Sequence, residues 1–226
     1  SLEKGEERES VQLIRALRLR GYRSRVDEAD DAYWTASLRV WSPALDAAAL
    51  DLVRPFVRAL ELSKGAAFLE TGEVPTRVAT IRRGVVRELF VLPDGTERTR
   101  GFGVEGAFAG SLSDLLRAGP SRTRVVAEED TRLLVAPWDV LRDAGTRHEG
   151  WRELLHRVTE RLYLLKAERE VELLSMDAEA RYAAFRARFP GLEARIAQRH
   201  VASYLGITPE HLSRLRARGR ATKAPT

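Results

Sequence analysis

The stretch from Gln198 to Arg220, QRHVASYLGITPEHLSRLRARGR, constrains the fold of this chain more than any other. It reads as two short helices around a tight turn. Gly206 stands where the first helix ends, a position that favours the left-handed backbone conformation open to glycine. Thr208 is a good N-cap for the second helix, and Pro209 suits its first position. The stretch therefore predicts a helix-turn-helix.

Basic charge concentrates in the same part of the chain. Residues 191–226 hold seven Lys or Arg against two acidic residues, a net charge of +5, which equals the formal charge of all 226 residues. A helix-turn-helix that binds DNA places its second helix in the major groove, where arginines and small polar side chains contact bases and phosphates. The sequence thus predicts a DNA-binding segment. The alternative is a helical hairpin in a bundle, followed by a solvated basic tail.

Composition excludes several classes of site. Cysteine is absent, which excludes disulfides, thiolate nucleophiles, iron–sulfur clusters and cysteine-ligated metals. The four histidines (His148, His156, His200 and His211) lack the spacing of metal ligands, so we predict neither a metal site nor a cofactor. No run of 18 apolar residues and no signal peptide is present, so we expect no membrane contact and a cytoplasmic location.

The middle of the chain alternates between apolar and polar residues with a period of two. The predicted strands are Ala67–Glu70, Arg77–Ile81, Val85–Leu92, Thr96–Phe102, Val104–Phe108 and Arg124–Ala136, with a hairpin turn at Pro93–Gly95. Before them, apolar residues from Ser42 to Leu60 keep a helical period of 3.6. Many short strands with glycine turns indicate a β-barrel or jelly roll.

Residues 148–174 predict one long helix. Its apolar positions step by four and three, the pattern of a coiled-coil seam. The predicted seam consists of Trp151, Leu155, Val158, Leu162, Leu165 and Arg169. We prefer a parallel coiled coil with a second copy of the chain, and packing on the chain's own barrel is the alternative.

Residues 1–41 carry weaker signals. A helix capped by Ser10 would end at Gly21, and Asp27 to Asp31 reads as an acidic break before the aromatic pair Tyr33-Trp34. We interpret this segment as a helical extension that docks on the next domain, with a partner-binding arm as the alternative.

The order of helix, barrel, long helix and helix-turn-helix resembles the Crp/Fnr family of bacterial transcription regulators. The resemblance covers Ser42 to Arg218. Three segments carry it: KGAAFLETGEVPTRVATIRRGVVRELFVLPDGTE, GFGVEGAFAGSL and VASYLGITPEHLSRLR.

The resemblance implies an α+β fold in four parts. An N-terminal extension (1–41) precedes a cyclic-nucleotide-binding-like β-barrel or jelly-roll sensor domain (42–146), a long dimerisation helix (147–175) and a C-terminal winged helix-turn-helix DNA-binding domain (176–226). It also implies a homodimer that binds double-stranded DNA sequence-specifically, with half-sites about one helical turn apart (~34 Å). RNA polymerase is a further partner that the family allows.

The resemblance also assigns roles within the second helix. The family pattern Ser/Thr-Arg-Glu-Thr-x-Ser/Gly-Arg retains its Glu as Glu210 and its final Arg as Arg214, whereas Pro209 replaces the first Arg. Glu can accept from cytosine N4 and Arg can donate twice to guanine. The DNA-binding residues implied are Thr208, Pro209, Glu210, His211, Ser213, Arg214, Arg216 and Arg218.

The effector site departs from the family pattern. Cyclic-nucleotide-binding members have a Gly-Glu pair before the short helix of the barrel and an Arg-Ser/Thr-Ala phosphate clamp after it. Here Gly110-Ser111 and Ser121-Arg122-Thr123 stand at those places, so we expect no response to cAMP or cGMP in the family's usual manner. A nucleotide or another small anion that switches DNA affinity is the alternative. The candidate effector residues are Gly110, Ser111, Ser121, Arg122, Thr123 and Arg124.

Two rival functions come from other classes. An enzyme with its active site in the barrel is one, but no nucleophile–His–acid order, paired-carboxylate geometry or phosphate-cradling glycine loop supports it. Glu105 and Asp114 flank a loop of the barrel at a spacing that is commonplace. A pure protein-interaction module is the other, and the localised basic charge argues against it. We therefore predict no enzymatic activity.

Overall fold

A computed structural model describes the backbone of residues 22–221 and the side chains of residues 26–218. The predicted helix from Ser10 to Gly21 lies outside the described residues. The helices are α1 (Glu28–Arg39), α2 (Ala47–Asp51), α3 (Leu112–Arg117), α4 (Trp138–Arg147), α5 (Glu149–Ser175), α6 (Ala178–Arg188), α7 (Gln198–Leu205) and α8 (Pro209–Ala221). The strands are β1 (Tyr22–Arg25), β2 (Arg58–Leu62), β3 (Ala67–Leu69), β4 (Arg77–Arg83), β5 (Val86–Val91), β6 (Glu97–Gly103), β7 (Phe108–Ala109), β8 (Arg124–Ala127) and β9 (Thr131–Pro137).

The strands form two antiparallel sheets that enclose one apolar core. The first sheet has the order β1-β2-β9-β4-β7 and the second the order β3-β8-β5-β6. Inward side chains of both sheets, including Phe68, Ile81, Val125 and Leu133, fill the space between them. This is the predicted jelly roll. The hairpin between β5 and β6 turns at Pro93–Gly95, where the Leu92 N–H donates to the Thr96 carbonyl at 2.9 Å. The α+β fold class is confirmed.

Of the predicted helix from Ser42 to Leu60, only Ala47–Asp51 is α-helical, and the rest of the prediction is wrong. Asp46 caps the short helix α2 by accepting from the Ala49 N–H at 2.8 Å. Pro55 then falls in a 3-10 turn, Arg54–Phe56, because its ring cannot continue an α-helix. The chain next enters β2, which pairs with β9. The apolar residues that fitted a helical period are therefore shared by three different elements.

Two predicted strands are also corrected. In the predicted strand Val104–Phe108 only the last residue is extended, as part of β7, because the backbone turns at Gly106, which has a φ of 81°. The predicted strand Arg124–Ala136 is two strands, β8 and β9, and the residues between them form a turn.

The acidic break predicted near residue 27 is the start of helix α1. Asp27 accepts from the Asp30 N–H at 2.8 Å, as an N-cap does. Trp34 on this helix is 2% exposed, and its ring lies 6.2 Å from that of Trp151 on α5. Strand β1 pairs with β2 in the first sheet. The described part of the N-terminal segment thus packs on the barrel and on the long helix.

Helix α5 turns its predicted seam toward its own chain. Trp151 is completely buried, and its indole N–H donates to the Ala49 carbonyl at 2.7 Å. The other five positions are half-buried: Leu155 and Val158 pack on the core formed with α1, α2 and α4, and Leu162 and Leu165 line crevices between α5 and the rest of the chain.

The assignment of this seam (Trp151, Leu155, Val158, Leu162, Leu165 and Arg169) to a dimer interface stays a prediction, except at Trp151, which the chain itself buries completely. Arg169 at its end bonds to the Tyr204 carbonyl and to the Glu172 carboxylate. The chain itself covers this face of the helix, wholly at Trp151 and partly at the other positions.

Candidate DNA-binding and effector sites

Helices α7 and α8 form the predicted helix-turn-helix. Gly206 ends α7 with a φ of 70°, and the Thr208 hydroxyl accepts from the His211 N–H at 3.2 Å at the start of α8. Val201, Leu205 and Leu212 are buried where the two helices pack on α6 and on the 3-10 turn Leu192–Ala194. Each local signal in the sequence is matched by a contact in the structure.

One face of α8 is open to solvent. The exposed members of the predicted DNA-binding set are Thr208, Pro209, Glu210, Ser213, Arg214 and Arg218. Hydrogen bonds from the backbone N–H of Glu210 and from the Thr208 hydroxyl, with the nearby Arg214 charge, lower the pKa of the Glu210 carboxyl. The carboxylate is therefore ionised at neutral pH and can accept hydrogen bonds. The face presents one acceptor and two guanidinium groups on a rigid element.

Arg216 has a different environment from these residues. Its guanidinium lies 2.9 Å from the Glu193 carboxylate, and the Tyr182 hydroxyl donates to the same carboxylate at 3.0 Å. The arginine is half-buried and ties α8 to the turn that contains Glu193. This contact engages the Arg216 guanidinium within the chain, and its part in DNA binding stays a prediction. His211 is also half-buried, beside the exposed face.

The wing implied by the resemblance is not seen in the part of the chain that the structure describes. Within residues 22–221, no strand follows Pro137. The segment between α6 and α7, where a strand pair would fit, is a 3-10 turn that starts at Gly191. Contacts with DNA from the described residues would therefore come from helices and from the turn before α8.

The helix-turn-helix is docked on the barrel through α7 and β6. The Thr99 N–H of β6 donates to the Ser203 hydroxyl of α7 at 2.9 Å. Phe102 of β6 contacts Phe185, Phe189 and Tyr204, with ring centroids 5.7–6.2 Å apart. Such aromatic pairs favour edge-to-face or tilted geometries, as here. The interface therefore has an apolar centre.

Arg195 bridges the two domains at the edge of this interface. Its guanidinium lies 2.6 Å from Glu105 and 2.5 Å from Glu129, both on barrel loops. The Arg195 hydrogen bond is the main cause that lowers the pKa of Glu105 to about 2. The pKa of Glu105 is therefore below the value of 4.5 for an unpaired Glu. The bridge stabilises the docked state fully above pH 4.5, and this stabilisation is lost as the pH falls toward 2.

A buried charge network runs beneath the same interface. Glu128 bonds to Arg87 of β5 at 2.6 Å and to the His200 ring of α7 at 2.6 Å. Arg87 also bonds to Glu97 at 2.6 Å. Burial raises the pKa of Glu128, but its bonds to His200 and Arg87 outweigh burial, and the net pKa is lowered. The carboxylate is thus a charged link between barrel and helix-turn-helix.

The predicted effector residues surround a carboxylate that was not predicted. The Ser111 and Ser121 hydroxyls each lie 2.7 Å from the same oxygen of Asp114, on helix α3. The Arg117 guanidinium bonds to the other oxygen. Burial raises the pKa of Asp114, but these three donors outweigh it and bring the value down to about 2. The chain therefore places a permanent negative charge between Ser111 and Ser121.

A cavity of about 780 Å³ opens beside this cluster. Arg100, Arg122 and Lys166 line it, together with the end of the β5–β6 hairpin. Arg100 is paired with Glu88 at 3.2 Å, whereas Arg122 and Lys166 have no ion pair among the described residues. Burial and the Arg100 charge lower the pKa of Lys166. Arg122 and Lys166 are therefore the lining residues most available to bind an anion in this cavity.

The remaining predicted effector residues differ in accessibility. Arg124 is paired with Glu70 at 2.8 Å and does not line this cavity, so its role as an effector residue stays a prediction. Thr123 is buried, and its N–H lies 3.1 Å from the Ser121 hydroxyl. Gly110 has a φ of 136° and lines an apolar crevice of about 100 Å³ beneath α5.

Two further classes of site are absent from the described part of the chain. No three side chains of His, Asp or Glu gather there as metal ligands would. None of its helices combines the length and the apolar composition needed to cross a bilayer.

Comparison with known protein families supports this domain structure. Residues 59–148 match the family model described as the cyclic nucleotide-binding domain. The match spans β2 to α4, including the Asp114 cluster, and ends where α5 begins. A search of curated proteins gave no match.

Solved structures of bacterial regulators share the fold. FixK2 from Bradyrhizobium japonicum has a TM-score of 0.65 at 21% identity, and the alignment covers 74% of this chain and 85% of FixK2. The c-di-GMP responsive global regulator CLP from Xanthomonas campestris has a TM-score of 0.61 at 13% identity, covering 80% and 96%. A CooA mutant from Carboxydothermus hydrogenoformans has a TM-score of 0.60 at 19% identity, covering 78% and 80%. The resemblance to Crp/Fnr regulators is thus confirmed in the fold.

Proposed function

We propose that this chain is a sequence-specific DNA-binding transcription regulator that acts as a homodimer. The observation that carries the proposal is the exposed face of α8, which presents Glu210, Arg214 and Arg218 beside a turn fixed by Gly206. The regulators that share its fold support the same reading. The proposed activity is binding alone, in the bacterial cytoplasm, and the exposed surface of α8 supports the binding.

Each residue of the exposed face has a proposed role. Glu210 accepts from a cytosine amino group, and Arg214 donates twice to a guanine in the major groove. Thr208, Ser213 and Arg218 contact phosphates and set the register of the helix on DNA. Because arginines displace condensed counterions, the affinity falls as the salt concentration rises.

The proposed dimer uses the face of α5 opposite to the predicted seam. Apolar side chains lie on that face at Tyr163, Leu164, Ala167, Val171 and Leu174, all of them exposed except Ala167, which is half-buried. Val171 is 56% exposed and Leu174 is 80% exposed. A second copy that presents the same stripe covers it by two-fold symmetry, as a parallel coiled coil does. Such a dimer carries two copies of α8 and fits a two-fold symmetric operator. RNA polymerase is a further proposed partner of the DNA-bound dimer.

A second form of the proposal includes an effector. The cations Arg122 and Lys166, which lack ion pairs among the described residues, favour a nucleotide or another small anion at the mouth of the 780 Å³ cavity. Binding there could alter DNA affinity only if the ligand distinguishes two states of the dimer. Calorimetric titration with a panel of nucleotides separates this form from a regulator without an effector.

Selection of binding sites from a pool of random DNA duplexes tests the proposed function. The purified chain, without added ligand, should enrich a two-fold symmetric sequence whose half-sites lie about one helical turn apart (~34 Å). Enrichment only in the presence of a nucleotide would establish the effector-dependent form. Absence of any consensus under both conditions, at low and moderate salt, would refute sequence-specific DNA binding.

A further inference from the structure

The barrel holds a buried anion at the centre of four hydrogen-bond donors. The Ser111 and Ser121 hydroxyls lie 2.7 Å from one oxygen of Asp114, and the Arg122 N–H lies 3.3 Å from the same oxygen. The Arg117 guanidinium bonds to the other oxygen. Asp114 itself is 1% exposed. The donors come from α3 and from the segment before β8, so the carboxylate links two parts of the chain.

These donors are of the kinds that bind a ligand's anionic group. Hydroxyls, a backbone N–H and a guanidinium all donate to carboxylate and phosphate oxygens, and bonds to charged acceptors are the strong ones. A cyclic nucleotide brings one anionic phosphodiester and would need a donor set of this kind. In this chain the donors are already bonded to Asp114. A second anion at the same place would lack those bonds and would be repelled by the adjacent Asp114 carboxylate.

We propose that Asp114 substitutes internally for the anionic group of a ligand and thereby makes this barrel reject cyclic nucleotides. Asp114 is thus a specificity-determining residue of the domain. An effector of this chain does not displace Asp114 from its four donors. Any anionic group that the effector carries binds in the cavity beside Lys166. The inference rests on the proposed regulator having this barrel as its effector domain.

Removal of the carboxylate should create an anion site. Asp114→Ala leaves the four donors around an empty space of carboxylate size. The melting temperature of this variant should fall below that of the wild type. Sodium formate should raise it again in a saturable manner, beyond the effect of sodium chloride at the same ionic strength. The wild type should respond to the two salts equally.

Asp46→Ala is the matched control. This substitution also removes an N-terminal carboxylate of a short helix, but the side chain is 66% exposed and has no buried donor set around it. Formate should not stabilise this variant more than chloride does. If formate stabilises the Asp114→Ala and Asp46→Ala variants equally, or neither of them, the donors around Asp114 do not form an anion site and the proposal is overturned.

A second set of variants tests the rejection of cyclic nucleotides directly. Ser121→Arg alone should bind cAMP no better than the wild type, because Asp114 would pair with the new guanidinium. The double variant D114N/S121R keeps the volume of residue 114 and removes its charge, so its affinity for cAMP should be at least tenfold higher than that of S121R. Equal affinities, or tight binding of cAMP by the wild type, would overturn the proposal even if Asp114→Ala fails to fold.

Both tests use protein without DNA. Their failure would therefore leave the proposed DNA binding untouched, and failure of the site selection would not affect them.

Discussion

Arg214 and Arg216 stand two positions apart on α8 and have opposite surroundings. Arg214 is exposed, whereas Arg216 is bonded to Glu193 in the 3-10 turn Leu192–Ala194, before α7. A sequence pattern shows that both are arginines on a basic helix. It does not show the partner of Arg216, because Glu193 lies 23 residues earlier in the chain. The roles of the two residues therefore separate only in the folded structure.

Arg214→Ala should remove the preference for one base position. A bidentate contact to guanine contributes about 1–3 kcal/mol of discrimination against the wrong base. In competition between single-base variants of the selected site, Arg214→Ala should therefore bind all four bases with equal affinity at one position. Arg218→Ala, a control on the same helix, should weaken binding to all of these variants about equally. A uniform loss of affinity in both variants would show that Arg214 does not contact a base edge.

Arg216→Ala should act on stability instead. Loss of a half-buried ion pair should lower the free energy of unfolding by about 1 kcal/mol, measured by urea denaturation. Arg214→Ala should leave the unfolding midpoint unchanged, because its side chain is exposed. If Arg216→Ala unfolds like the wild type and changes only DNA binding, the contact with Glu193 is not what holds this side chain.

Asp114 shows a different limit of sequence reasoning at the same scale. Gly110, Ser111 and Ser121 could be placed near an effector site by resemblance alone. Asp114 has no counterpart in that pattern, and its partners come from two segments that a linear pattern does not bring together. A signal was nevertheless present, since an acidic residue lay between two serines at positions where an anion-binding site was expected.

Helix α5 shows what a periodic pattern can and cannot decide at the scale of one element. The existence and extent of α5 were predicted, because its apolar residues keep a helical period over a helix of 27 residues. The pattern does not decide which face meets a second copy, since apolar residues occupy two opposite faces. The face that starts at Trp151 is the more regular in sequence, and the chain itself covers it wholly at Trp151 and partly at the other positions. Similarly, the predicted helix from Ser42 ignored Pro55, which ends helical structure there.

Val171→Glu should dissociate the proposed dimer. A carboxylate within the exposed stripe would be buried unpaired between two helices, which strongly disfavours association. Light scattering after size exclusion should show the mass of one chain in place of two, while the far-ultraviolet circular dichroism stays unchanged. Affinity for the two-fold symmetric site should fall with the loss of the dimer.

Arg161→Glu provides the control for this prediction. It also introduces a carboxylate into α5, but at an exposed position outside the stripe, where its ion pair with Glu168 spans 3.9 Å. This variant should remain a dimer. If Val171→Glu remains a dimer as well, the second copy does not bind to this stripe.

At the scale of the whole molecule, the order of parts was predictable and their docking was not. Turn residues, strand alternation and helix caps are local signals, so they identify a barrel, a long helix and a helix-turn-helix along the chain. The contact between α7 and β6 joins residues about 100 positions apart, such as Thr99 and Ser203. It gives the helix-turn-helix a fixed place on the barrel.

Arg195→Ala should loosen this docking without unfolding either part. The substitution removes both bridges, to Glu105 and to Glu129, at the edge of an interface whose aromatic centre remains. Loss of about 1.4 kcal/mol would make local opening tenfold more frequent. The Thr99 amide, which is bonded to Ser203, should therefore exchange its hydrogen about tenfold faster in native-state exchange measured by NMR.

Gln198→Ala is the matched control on the same side of the interface, because Gln198 is exposed at the start of α7. Its Thr99 amide should exchange as in the wild type. Amides in the barrel core, such as that of Val125, should be unaffected in both variants, since they report opening of the sheet and not of the interface. Equal exchange of Thr99 in all three proteins would mean that the aromatic cluster alone holds the helix-turn-helix on the barrel, and the Arg195 bridges would then have no part in coupling the two.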